Sequence, residues 1–139
     1  MPPINLLATY LHLARAADLR RQPLVRDRVL LLAGVIAAQI DLSPIAAACR
    51  EQILLHNSGH LLSRWPTIDE ALEHEDLQSL VNQLSTRYGP EHVEHRVSQL
   101  GIDRNPERPA YSSDGEYAAA LLGMNWDDLQ QRFGPSPSD

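Results

Sequence analysis

The chain carries one cysteine, Cys49, and so no internal disulfide. Its fold does not depend on an oxidising compartment, and the cytoplasm is the expected location. Long apolar runs are missing too: the longest, VLLLAGVIAA from Val29 to Ala38, is too short to span a bilayer and reads as part of a buried helix. The opening segment, MPPINLLATYLHLARAADLRR, lacks a basic stretch ahead of its apolar part, and His12 interrupts that part. It does not read as a signal peptide. No membrane partner is expected.

Lysine is absent, so all 12 basic residues are arginine, against 18 acids. They are unevenly placed: residues 1–64 carry a net +3 and residues 65–139 a net −9. Aromatic residues are only 5 % of the chain and the pI is near 5.4, whereas a ligand gripped by its phosphates normally meets a basic, aromatic-bearing surface. Nucleic acid is therefore not expected as the main ligand. The exception would be a local patch formed by Arg15, Arg20, Arg21, Arg26 and Arg28 around the first helical turnaround, for which solvated surface is the simpler account.

Several catalytic signatures are also lacking. No glutamate is followed three residues later by histidine, the spacing a di-iron helical site uses to aim both ligands inward from one helix. An H-E-x-x-H zinc motif, a phosphate-binding P-loop and a dinucleotide-binding glycine pattern are likewise missing. A conventional enzyme is unsupported, and no cofactor is expected.

What the chain does contain is helical periodicity. Ile4, Leu7, Leu11 and Ala14 predict a first helix over about residues 4–21, ended by Pro23. Leu24–Leu42 is charged only near its start and then apolar all round, as a central helix wrapped by others would be. Its Ala33, Gly34, Ala37 and Ala38 suit close approach of a neighbour. Ser43-Pro44 reads as an N-cap and first helical residue, so a third helix starts at Pro44, and the short Asp41–Ser43 link makes an antiparallel hairpin with its predecessor. Thr67 and Glu70 form a capping box for a fourth helix over about 68–88, with Leu77, Leu80, Val81, Leu84 and Tyr88 inward and Gly89 as its left-handed stop. Pro90 begins a fifth, to Leu100.

Asp103–Tyr111 reads as a surface connection. Ser113 with Glu116 and Asn125 with Asp128 can cap two short terminal helices. With no alternating strand pattern, the expected class is all-α: one domain over residues 1–134, with about five main helices in a bundle, a short C-terminal helical extension and a disordered tail over 135–139.

The stretch HNSGHLLSRWPTIDE, residues 56–70, raises the sharpest site question. His56 and His60 have the spacing that lets two imidazoles share a helix face, which makes them candidate metal ligands. His56 falls on the stripe of Ile45, Cys49 and Ile53 and is expected to be enclosed. Against a site, Gly59 is suited to ending the helix before His60, and Cys49 stands about 10 Å from His56 by helical rise. A joint between helices is the preferred reading. In the second cluster, Glu91–His95, the wheel places Val93 and Val97 inward and Glu91 and His95 in solvent, while His92 lies beside Arg96, which would repel a cation.

Trp65 sits where a hydrophobic staple would be, with Trp65 or Pro66 packing on Ala71 or Leu72. Trp126 and Phe133 lie on a short helix that cannot bury them alone, so they dock on this domain or on another chain. The expected function is a non-enzymatic interaction or assembly module, self-associating or binding another protein, with Trp65, Trp126, Phe133, Arg20 and Arg21 as candidate contact residues. The alternative is a small metal-binding or histidine-dependent helical enzyme built on His56 and His60, with His92 joining them if helix 90–100 packs across from that joint.

Overall fold

The computed structural model describes residues 2–102 and 110–134, and these are all helix and turn, with no strand among them. Three long helices come first: α1 (Pro3–Leu19), α2 (Pro23–Gln39) and α3 (Ser43–His56). The two turns that join them share one construction. Arg21 and Asp41 adopt left-handed backbone, φ 57° and 62°, and the next amide donates back five residues, Gln22 to Ala17 (2.8 Å) and Leu42 to Ala37 (2.8 Å). This is the Schellman closure, which satisfies carbonyls the helix end leaves free. Gln22 and Leu42 then serve directly as the N-caps of the next helix, with proline in its first turn, so each reversal takes three residues. The cap at α3 is therefore Leu42 and not Ser43, whose side chain makes no cap bond.

α2 is the middle helix, between α1 and α3. Every residue from Val29 to Val35 is buried, which accounts for its lack of a polar face. The chain covers this helix by itself: α4 (Ile68–Ala71) and α5 (Glu75–Arg87) close the sides that α1 and α3 leave open. Gly34 lets α3 come close, since a Cβ there would stand 3.2 Å from that of Cys49 and 2.5 Å from Cδ1 of Ile68. Gly34, one of the small residues expected to admit a neighbouring helix, thus admits α3 and α4 of the same chain.

The predicted helix over 68–88 is two. Thr67 caps α4 through its hydroxyl, as expected, but the helix stops after one turn, and His74 opens α5 with Glu75 and Asp76 in the first turn. Gln78 donates from Nε2 to the Leu72 carbonyl (2.7 Å), an acceptor the break sets free. Gly89 does not adopt the left-handed form predicted for it; with φ −64° it is the N-cap of α6 (Pro90–Gln99).

α6 lies on α1, and the buried Tyr10 hydroxyl of α1 donates to the Tyr88 carbonyl (2.6 Å). Burial raises the Tyr10 pKa. α7 (Asp114–Leu121) bridges α1 and α3, while α8 (Trp126–Phe133) packs on α3 and α7. Ser113 and Asn125 cap them as expected. One apolar cluster runs from Leu7 to Leu129. No helix among the described residues is long and apolar enough to cross a membrane. The surface connection expected at 103–109 and the tail at 135–139 lie outside the described residues.

Candidate functional site

The stretch that links α3 to α4 is a joint. His60 caps a single 3-10 turn (Leu61–Arg64) by accepting the Leu62 amide at Nδ1 (3.1 Å), and Arg50 of α3 donates from Nε (3.1 Å) and Nη2 (2.8 Å) to the Trp65 carbonyl. Trp65 is half-buried against the apolar core and stacks on His74, the histidine that opens α5, with ring centroids 4.9 Å apart. Burial lowers the pKa of His60, with the charge of Asp27 opposing that shift.

His56 is exposed, contrary to the enclosure expected from the wheel. It is the last residue of α3 and lines an open cleft with residues of α1, α2 and α7, so facing inward does not bury it. Its Nδ1 lies 2.7 Å from the Gln52 carbonyl, which can only accept, so this nitrogen carries the proton. Among the described residues no three His, Cys, Asp or Glu side chains are grouped to hold a metal ion. His92 does not join His56 and His60 either: α6 packs on α1, and His92 lines a different cleft from His56.

Three clefts carry the remaining polar chemistry. The first, between α1, α2, α3 and α7, encloses about 420 Å3 and is lined by His56, Gln52, Arg15, Asp18 and Arg26. Arg26 is the fixed element there, nearly buried and paired with Asp18 (2.7 Å) and Asp27 (3.3 Å). Burial opposes its charge, but the two carboxylates outweigh that and raise its pKa. A neutralised arginine of this kind is structural glue for the α1–α2 turn.

The second is a groove of about 440 Å3 along the outer side of α3, bounded by the start of α4 and the end of α8. Leu54, Leu55 and Phe133 give it an apolar end, and Leu55 is 70 % exposed. Arg132 beside Phe133 pairs with Glu51 of α3 (2.6 Å), which ties α8 to this wall.

The third, about 160 Å3, lies between α1, α2 and α6, with Arg20, His92 and Arg96 among its lining.

Of the contact residues expected from sequence, Phe133 and Arg20 line clefts, Arg21 is exposed at the first turn, and Trp65 and Trp126 are half-buried within the chain. Trp126 fills the space where Gly115 has no side chain. Arg50 and Leu55 are not singled out by sequence, and the only signal for Leu55 is a leucine off the inward stripe of α3; Arg96 is read there only as a charge that keeps a cation from His92. No protein-family model, curated protein or solved structure matches the chain.

Proposed function

We propose that the protein is a non-enzymatic assembly module of the cytoplasm that pairs with a second copy of itself along the outer side of α3. The observation that carries this reading is the gradient of side-chain size along that groove. Ser43 and Ala47 lie at its N-terminal end, Leu54 and Leu55 at its C-terminal end, and Leu55 is largely exposed. A two-fold axis across α3 sets the large end of one copy over the small end of the other, which is the self-complementarity a symmetric interface demands. Phe133 widens the apolar floor, and the Glu51–Arg132 pair supplies a polar rim, as interfaces generally have.

Gly34 of α2 does not contribute, because α3 and α4 already pack against it. Light scattering coupled to size exclusion tests the proposal. The wild-type chain is expected to run at twice its 15.5 kDa mass at micromolar concentration, and Leu55→Glu at the single-chain mass with unchanged circular dichroism. A wild-type monomer throughout the accessible range, or a Leu55→Glu dimer, overturns it.

A further inference from the structure

The cleft between α1, α2 and α6 combines an apolar floor with a basic rim. Its floor is apolar, formed by Leu13, Val25, Val29 and Leu100, and its remaining lining includes Arg20, Arg96 and His92. Neither arginine has a carboxylate partner among the described residues, although the chain holds 18 acids against 12 bases. Among the described residues His92 meets the ring of Tyr88, edge-on at 6.2 Å. Two guanidinium groups sharing one small cleft repel each other and any metal ion. Both are exposed to solvent, so the cleft selects an anion over a cation, and the planar fork of arginine matches a carboxylate with two parallel hydrogen bonds.

We propose that this cleft binds a small organic acid, with the carboxylate between Arg20 and Arg96 and the hydrocarbon part on the apolar floor. Size and polarity narrow the class. At about 160 Å3 the cleft matches a cavity of roughly 150 Å3 known to accept one benzene ring, and it is well below the roughly 300–1,000 Å3 of sites for drug-sized ligands. Inorganic phosphate would satisfy the arginines and leave the floor wet. A neutral aromatic would fill the floor and leave the arginines unpaired. An acid of about the size of benzoate answers both demands.

The test is a titration followed by amide chemical shifts, with benzoate, benzyl alcohol and inorganic phosphate as separate probes. Benzoate is expected to bind in the micromolar to millimolar range and to shift amides of residues 13–29 and 88–100, with the alcohol and phosphate each weaker by about tenfold or more. Arg20→Gln with Arg96→Gln should weaken benzoate by about tenfold or more at unchanged melting temperature, since both side chains are exposed. Ala16→Leu, which fills the cleft and keeps its charges, should weaken it comparably. Benzyl alcohol binding as well as benzoate, phosphate binding more tightly, the double arginine variant retaining full affinity, or shifts confined to other residues would each overturn the proposal.

Discussion

Gly115 offers the most direct test of how α8 is held. A methyl group added there would stand 2.6 Å from Cε2 and Cη2 of Trp126, where carbon atoms in contact prefer about 3.5–4.0 Å. The indole is rigid, so it must retreat by about 1 Å, and α8 must move with it or Trp126 must leave its seat. Two effects then compete in Gly115→Ala. Helix propensity favours alanine by at most about 1 kcal/mol, and less in the first turn of α7, where Gly115 lies. Overpacking a filled site costs about 1–3 kcal/mol. The clash wins, and the expected net loss is about 1 to 2 kcal/mol, or a melting temperature lower by roughly 3–8 °C. A Trp65→Phe background leaves Trp126 as the only tryptophan, so its fluorescence should shift to the red as it gains contact with water. A Gly115→Ala protein that melts at the same temperature or higher, with unchanged emission, refutes the argument that Trp126 seats α8.

Three further outcomes follow from the turns, the joint and the core. Arg21→Gly should stabilise the chain by about 1 kcal/mol in urea denaturation, because an L side chain at φ 57° is strained and glycine is not; Asp41→Gly should gain less, since aspartate tolerates that conformation better. His60 resists protonation when folded, so the unfolded chain binds the extra proton first. Stability should therefore fall as pH drops through the ordinary histidine value near 6.5, and His60→Asn should flatten that part of the pH profile of the melting temperature. Cys49 is fully buried with its pKa pushed up to about 12, so a thiol reagent at pH 8 should label it only as fast as the chain opens, and at once in denaturant.

Local chemistry was legible in the sequence wherever a few neighbouring residues decide the outcome. The caps at Thr67, Ser113 and Asn125 are of this kind, and so is the inward face of α6 at Val93 and Val97, because period and capping need no knowledge of the rest of the chain. The all-round burial of α2 was legible as well, but not what provides it. Cover by α4 and α5 depends on the break after Ala71, for which the acidic pair Glu75 and Asp76 is a second helix-start signal inside what reads as one helix. His56 shows a different limit: a wheel gives direction and says nothing of whether the facing helices leave an open cleft there. Arg20 and Arg96 share a cleft only because α6 packs on α1, and no local pattern encodes that pairing.

The pairing of α8 with α3 has a kinetic consequence. α1, α2 and α3 are successive, joined by three-residue reversals, and can assemble through contacts close in sequence, which is the fast part of folding. The Arg132–Glu51 bridge instead spans 81 residues, and the Tyr10–Tyr88 bond spans 78. During synthesis the outer wall of α3 is made long before the helix that borders it, so a nascent or truncated chain ending short of Trp126 displays that apolar wall to its neighbours. The species most exposed to aggregation is then a chain whose first three helices are already native, and chaperone demand should track the time taken to translate residues 57–133.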